Sequence, residues 1–291
     1  MRGRIAAAGV ILAFVLSGCV GERSAAPQPQ PQATASKVGA VYKAPYRDMP
    51  SAPPAVDDET ALLNNALYRA GVVPAVACRF PAGRLATKAA LLGFGQAVVA
   101  CLGRAWQPLV VRSSVDFTQP VLRAVKVGES TGCGGVDDDV PAFYCWSDNA
   151  IYFDWTVYVE KNRSRVSVQL AMIYTMAHEY GHHLQALTGI SDAYGNRYQR
   201  KSGDAQLEDT RRSELQASCF ASAFFGANRT ALDLYGDRLS ELRWHEDGGD
   251  EPGYPRDHGS PTSNQAWSRG AFASKSPASC NTWAAAAKKV S

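Results

Sequence analysis

The sequence predicts an α+β domain that is mostly helical, with a small antiparallel sheet or hairpin near its longest helix. Two observations predict this class. Apolar residues recur at spacings of three and four in several long stretches, as in helices, whereas apolar residues and turn residues alternate between about 121 and 153, as in strands. With 291 residues, of which 46% are hydrophobic and 20% charged, the chain can bury a substantial core.

The first 18 residues are predicted to be a signal peptide that does not belong to the fold. A short basic start precedes the apolar run 5–16, which is too short for a comfortable membrane span. The following Leu-Ser-Gly-Cys resembles a bacterial lipobox, so we expect cleavage before Cys19 and a lipid on its thiol. The alternative is an ordinary secretory signal, or a membrane anchor, with an incidental cysteine. Lipidation would hold the chain on the extracytoplasmic face of a cell membrane.

Residues 19–56 are predicted to form a disordered stalk. Pro, Gln, Ala and Ser dominate this segment, and its few large apolar residues cannot offset the entropy lost on ordering. The folded domain is therefore expected over residues 57–291. The net charge of +3 is small and no dense basic patch is present, so nucleic acid is not an expected partner. We expect a monomer.

Two helices are predicted in the first part of the domain. The first begins after Asp57 or Asp58, either of which can cap it, and stops near Gly71. The second is rich in Ala and Leu, spans about 85–106 and ends before Pro108. Both are expected to be scaffold elements.

The strand-like region follows. Val121, Val125 and Val127 are typical of a strand, and the segments 143–146 and 151–153 are predicted to form a hairpin, since turn residues separate them.

Six cysteines remain when Cys19 is set aside, and an even number in an exported domain predicts disulfides. Sequence proximity favours the pairs Cys78–Cys101 and Cys133–Cys145, which leaves Cys219–Cys280. A structural zinc bound by thiolates is the alternative, but no close Cys-x-x-Cys pair supports it.

The most informative stretch is an H-E-x-x-H motif in a helix predicted over about 166–187. His178 and His182 lie four residues apart, hence on one helix face, and can bind one metal ion together. Glu179 is then placed to take a proton from a water molecule that the metal activates. His183 lies about 100° around the helix from His182, so we expect it at the rim of the site or behind the ligands. A solvent-facing polar turn is the alternative.

A third ligand is needed, because a catalytic zinc usually has three protein ligands and one open position. His245 and His258 do not continue the motif at the metzincin spacing. Glu214 is the better candidate, since its segment is helix-like and small residues would let that helix approach the metal helix closely. Those small residues are Ala217, Ser218 and Ala221. The alternative is a solvent-exposed glutamate on an amphipathic helix.

Together these segments resemble the bacterial family named Putative neutral zinc metallopeptidase, over roughly residues 58–285. The similar segments are TGCG at 131–134, FYC at 143–145, AIYFD at 150–154, HEYGHHLQ at 178–185, RSELQASCF at 212–220, HGS at 258–260 and CNT at 280–282. The resemblance implies a zincin-like peptidase domain that acts on a peptide or protein substrate. It also implies zinc ligands His178, His182 and Glu214, with Glu179 as the general base.

One position departs from the family pattern, which is Glu-Leu-Gln-Ala-Asp-Cys, because this chain has Ser218 in place of the Asp. Ser218 follows Glu214 by four residues, so it shares a helix face with that ligand and can bond a ligand histidine, but without a charge. We therefore expect zinc binding with weakened catalysis.

Three functions remain open at this point. In the first, the chain hydrolyses peptide bonds, with His258 or a tyrosine such as Tyr180 stabilising the oxyanion. In the second, it is a catalytically weakened zinc-binding scaffold or interaction protein of the envelope. In the third, it is a metal-free interaction domain in which the motif is accidental.

Overall fold

The computed structural model describes residues 57–137, 140–159, 163–253 and 255–291. The expected signal peptide, Cys19 and the stalk lie outside these ranges. The helices in these ranges are α1 (Asp58–Leu63), α2 (Lys88–Arg112), α3 (Trp155–Tyr158), α4 (Arg165–Leu187), α5 (Ile190–Gln199), α6 (Asp204–Ala227), α7 (Gly236–Glu246) and α8 (Pro261–Ser274). The strands are β1 (Val121–Val125), β2 (Ser130–Thr131), β3 (Gly134–Gly135), β4 (Ala142–Cys145) and β5 (Ala150–Asp154).

The main sheet has the order β1-β5-β4 and is mixed, so of the two expected forms, an antiparallel sheet or a hairpin, the first is not what the structure has. The predicted hairpin is present, since β4 and β5 pair antiparallel. However, β1 pairs parallel with β5, with Val121 opposite Ala150. The strand β4 therefore runs opposite to β1, and the hairpin between β4 and β5 returns the chain to the direction of β1. The mostly helical α+β class agrees with the structure.

The main sheet separates two apolar clusters, because successive side chains of a strand point to opposite faces. Ile151 and Phe153 face the large cluster formed with the helices. Tyr152 and Cys145 face a small cluster that also contains Cys133. All five residues of β5 are buried as a result, which makes β5 the rigid centre of the sheet.

The first predicted helix ends earlier than expected. Asp57 caps α1 by accepting a hydrogen bond from the Thr60 N–H at 2.8 Å. The Asn65 side chain then caps a separate 3₁₀ turn, Ala66–Arg69. This cap breaks the helix before Gly71, because its amide oxygen accepts from the Leu67 N–H.

The second predicted helix continues past Pro108, contrary to expectation, and α2 reaches Arg112. A proline inside a helix costs about 3 kcal/mol or more. Leu109 and Val110 are both fully buried, and burying such side chains contributes about 1.5–3 kcal/mol each. Their burial offsets the cost. By length and hydropathy α2 could span a membrane, but more than half of its apolar window is buried in the protein.

The metal-motif helix α4 lies at the centre of the domain and packs against both α2 and α6. Ser164 caps its start, because the serine hydroxyl accepts from the Ser167 N–H at 3.1 Å. Three disulfides join separate segments of the domain, and their pairs are the expected ones: Cys78–Cys101 and Cys133–Cys145, which sequence proximity favours, and Cys219–Cys280, which those two pairs leave.

Candidate metal centre

The backbones of α4 and α6 touch at Gly181. A Cβ atom on Gly181 would lie 2.7 Å from both the Cα and the carbonyl oxygen of Ala217, so only glycine fits there. This contact positions the site, because His178 and His182 flank Gly181 on one helix while Glu214 flanks Ala217 on the other. The expected close approach of small residues on α6 to the metal helix is therefore present.

Three ligand atoms converge where the two helices meet. The Nε2 atoms of His178 and His182 are 3.2 Å apart. The Glu214 Oε2 atom lies 3.2 Å from the first nitrogen and 3.3 Å from the second. Within the described part of the chain, these three residues form the group of His, Cys, Asp and Glu side chains that could hold a metal ion.

The size of this triangle fits zinc. Zinc bonds to imidazole nitrogen and carboxylate oxygen of about 2.0–2.1 Å, at tetrahedral angles, separate the ligand atoms by about 3.3–3.4 Å. The observed separations are within about 0.2 Å of that range. Two histidines and one carboxylate are also a known donor set for catalytic zinc, so the residues present fit this ion.

The charges at the triangle favour a cation. Burial opposes ionisation of Glu214, but His182 and His178 hold the pKa of its carboxyl well below the usual range. Burial likewise opposes charge on His182, yet the adjacent Glu214 carboxylate raises the pKa of His182 to about 9. The site therefore gathers positive charge, as protons on histidine or as a metal ion that displaces them.

Hydrogen bonds to Gln185 fix which nitrogen of His182 is free for a metal. The Gln185 Nε2 atom donates to the Ser213 carbonyl at 2.8 Å, and a carbonyl can only accept. The Gln185 Oε1 atom therefore faces His182 and accepts from its Nδ1 at 2.9 Å. With the proton on Nδ1, the Nε2 lone pair of His182 points into the triangle.

Ser218 supports His178 in a similar way. The Ser218 hydroxyl lies 3.0 Å from the His178 Nδ1 atom, which leaves the His178 Nε2 atom for the metal. The hydroxyl of Tyr174 lies close to Ser218, and the Tyr174 ring stacks on His178 at 6.3 Å. The position that departs from the family pattern thus still contacts the ligand histidine, through a neutral group.

The expected general base, Glu179, is held from the side of the sheet. Its Oε2 atom accepts a hydrogen bond from the backbone N–H of Tyr144 on β4 at 2.9 Å. Only 7% of Glu179 is exposed. The carboxylate is therefore fixed by the strand, whereas the metal ligands are fixed by α6.

Of the two positions expected for His183, the rim of the site is wrong, because the residue is fully buried. It donates from Nε2 to the Thr118 carbonyl at 2.8 Å, and its Nδ1 lies 3.2 Å from the Tyr144 hydroxyl. Burial lowers the pKa of His183 to about 4, so it is neutral. It contacts the strand residue that holds Glu179, because its direction around the helix points it toward the sheet.

His258 is held beside the triangle by the segment that precedes α8. Its Nε2 atom lies 3.8 Å from the Glu214 Oε2 atom. Its Nδ1 lies 2.6 Å from Asp257 Oδ1, and its backbone N–H donates to Asp250 Oδ1 at 2.8 Å. Burial opposes charge, but these carboxylates raise the pKa of His258 to about 9. A charged donor thus lies next to the metal position.

Tyr180, the other candidate for stabilising an oxyanion, is excluded by its position. Its side chain is fully buried, and its hydroxyl donates to Gln119 at 3.2 Å. It lies two residues, or about 200° around the helix, from each of His178 and His182 and therefore points away from the ligand face.

Sequence reasoning missed Gln185, Asp257 and Tyr174 as parts of the site. One sequence feature could have indicated the role of Gln185: it follows His182 by three residues on the same helix. Asp257 had only its adjacency to His258, and Tyr174 only its position one turn before His178.

The fold and the site define a mostly helical α+β protein with a metal-ligand set of the type that zinc hydrolases use. The family model described as "Putative neutral zinc metallopeptidase" matches residues 60–237. This is more than half of the chain, so the chain belongs to that family. The three ligand residues and Glu179 lie inside the matched range, whereas His258 lies beyond it.

Two relatives show how far the similarity extends. The Escherichia coli K12 protein named "Uncharacterized protein YpfJ" is 27% identical over 203 residues, which cover 65% of this chain and 70% of that protein. The Mycobacterium bovis protein named "Uncharacterized protein Mb2605" is 34% identical over 122 residues, which cover 41% of this chain and 38% of that protein. No solved structure gives a significant match.

Proposed function

We propose that this chain is a zincin-like zinc metallopeptidase that hydrolyses peptide bonds in a peptide or protein substrate. The observation that carries the proposal is the triangle of His178, His182 and Glu214 ligand atoms, whose sides of 3.2–3.3 Å fit tetrahedral zinc. The buried Glu179 beside the first histidine supports hydrolysis over simple metal storage. Since one chain supplies every proposed site residue, a monomer is sufficient for the proposed activity.

Zinc bound at the triangle would supply a Lewis acid that polarises the scissile carbonyl and acidifies a water molecule. Glu179 takes the proton from the attacking water and passes it to the leaving amine. The Tyr144 N–H holds one carboxylate oxygen in place during both transfers. Because the carboxylate is oriented before substrate arrives, little reorganisation is needed in the transition state.

His258 donates from Nε2 to the oxyanion that develops on the scissile carbonyl. Its position 3.8 Å from a ligand oxygen supports this role. So does the bond of its Nδ1 to Asp257, which orients the ring and favours the charged form.

The decisive experiment replaces the base without changing the ligands. Glu179→Gln should keep one equivalent of zinc by elemental analysis and lose cleavage of β-casein, an unstructured protein. His178→Ala should lose the zinc itself. Unchanged cleavage by Glu179→Gln, or cleavage by wild-type protein that persists in a zinc chelator, would sink the proposal.

A second candidate function is a zinc-binding envelope scaffold with weakened catalysis, and the neutral Ser218 beside His178 favours it. The two candidates differ in a direct observation. A stable zinc complex that shows no chelator-sensitive cleavage of unstructured protein identifies the scaffold.

We also propose that a lipid on Cys19 tethers the domain to the extracytoplasmic face of the cell membrane, with residues 19–56 as a stalk. The lipobox-like sequence before Cys19 supports the lipid. The three disulfides support an oxidising compartment. Cys19→Ala should move the full chain from the membrane fraction to the soluble fraction, and an unchanged distribution would refute the lipid tether.

A further inference from the structure

A row of aromatic rings leads from the metal triangle to solvent. Tyr174, His178 and His182 recur every four residues and share one face of α4. The Tyr174 ring lies parallel to the His178 ring within 25°, with centroids 6.3 Å apart. Tyr174 thus extends the ligand face by one helical turn toward the start of α4.

Helix α7 packs against α4 and continues the row. The His245 ring stacks on Tyr174, with centroids 5.7 Å apart and an angle of 19°. The Trp244 ring meets His245 edge-on at 4.9 Å. Four rings therefore follow one another from a metal ligand to the outer surface: His178, Tyr174, His245 and Trp244.

The outer end of the row is exposed to solvent. Trp244 is 66% exposed, the largest exposed fraction among the exposed large hydrophobic residues of the described chain. Burial lowers the pKa of His245 to about 4, so this ring is neutral near pH 7. The two rings between His178 and Trp244 therefore carry no charge, and together the row offers ring surface rather than ionic groups.

From this row, and resting on the peptidase function proposed above, we infer that Trp244, His245 and Tyr174 form a substrate subsite for an aromatic or large aliphatic side chain close to the scissile bond. The row begins on a candidate metal ligand, and His178, Tyr174 and His245 are each partly exposed, so a substrate whose carbonyl lies at the triangle can extend along it. Aromatic and aliphatic side chains gain most from such rings, because they pack against the exposed part of the rings and release water from apolar surface. An acidic side chain would lose hydration there and would meet the Glu241 carboxylate, which lies 4.0 Å from the His245 ring.

The test compares cleavage positions in β-casein, mapped by mass spectrometry, for the wild type and for Trp244→Ala. The wild type should cleave preferentially beside Phe, Tyr, Leu and Met. Trp244→Ala should lose that preference, with kcat/KM for a Phe-containing peptide reduced roughly tenfold and that for its Ala counterpart unchanged. Trp244→Phe should restore the preference, because it keeps a ring.

Tyr235→Ala is the matched control. Tyr235 is the N-cap residue of α7, at the end of that helix opposite Trp244, and is 46% exposed. Its variant should cleave as the wild type does. An unchanged preference in Trp244→Ala, or an equal loss in Tyr235→Ala, overturns the subsite.

A binding measurement separates this inference from the peptidase proposal. Two zinc-loaded variants, Glu179→Gln and the double variant Glu179→Gln with Trp244→Ala, are each titrated calorimetrically with an acetylated Gly-Phe-Leu amide. Weaker binding after the second change supports the subsite even where the wild type cleaves nothing. Equal binding overturns the subsite even where the wild type is an active peptidase.

Discussion

Single side chains decide how the two histidines present their nitrogens. The Gln185 amide has its orientation set by the Ser213 carbonyl, and it sets the His182 tautomer in turn. The effect passes through one proton and involves no direct contact between Gln185 and the metal position.

Gln185→Leu should therefore weaken zinc binding by roughly 10–100-fold, the usual cost of losing such a partner. Competition with a chelating dye measures the change. Gln206→Leu, which removes an amide that donates to the Tyr198 carbonyl and lies eight residues before Glu214 on α6, is the control and should bind zinc as the wild type does. Equal affinities of the two variants would show that the acceptor has no role, and thermal melts of both report whether the fold is intact.

Ser218 allows the opposite test, in which a substitution should increase zinc affinity. Ser218→Asp would place a carboxylate against the His178 Nδ1 atom, which now faces a hydroxyl at 3.0 Å. A charged acceptor strengthens the bond and raises the basicity of the ligand, so we expect zinc affinity to rise by roughly tenfold, with faster β-casein cleavage. If neither quantity rises, the serine is not a source of weakened catalysis.

At the level of elements, the site depends on how closely α4 approaches α6. Gly181→Ala would put a Cβ 2.7 Å from the Ala217 backbone, and the two helices would have to separate. We expect a loss of about 1–3 kcal/mol in the free energy of unfolding, the usual cost of overpacking. Zinc affinity should fall with it, because Glu214 moves away from the histidines.

Gly270→Ala on α8 is the matched control for that variant. A Cβ there meets nothing within 4 Å, so the better helix propensity of alanine should stabilise the protein by up to about 1 kcal/mol. Urea denaturation measures both variants. A Gly181→Ala protein as stable as wild type would contradict the close-approach argument.

The candidate metal ligands could be predicted from sequence because their positions follow from local helix geometry. His178 and His182 share a face by spacing alone, and Glu214 required only that a small-residue helix face lie nearby. The partners Gln185 and Asp257 could not be assigned, because their roles depend on a carbonyl of α6 and on a loop conformation. The parallel pairing of β1 was missed for a similar reason, since register between distant strands is a tertiary property. Pro108 shows that burial can override a local helix-breaking signal.

At the scale of the whole molecule, buried neutral histidines tie stability to pH. Burial lowers the pKa of His245 from the ordinary value near 6.5 to about 4 in the folded chain. Between these values the unfolded chain binds more protons, so stability falls as the pH falls from about 6.5 toward 4. From that difference His245 alone should cost the fold up to about 2 kcal/mol at pH 5 relative to pH 7.5.

Replacing the histidine tests this expectation. His245→Phe should show a smaller drop in unfolding free energy between pH 7.5 and pH 5 than the wild type does, measured by urea denaturation at each pH. Parallel curves for the two proteins would show that His245 does not contribute to the acid sensitivity.

The way Glu179 is attached has a consequence for how this protein can change over time. The proposed base and the two ligand histidines share one helix, yet they are anchored to different parts of the molecule: Glu179 to β4 through the Tyr144 N–H, and the histidines to α6 through Ser218 and Gln185. Substitutions that shift β4 alter the base while the ligand triangle keeps its shape. Metal retention and turnover can therefore diverge independently among descendants of this chain, and a member that has lost one can keep the other.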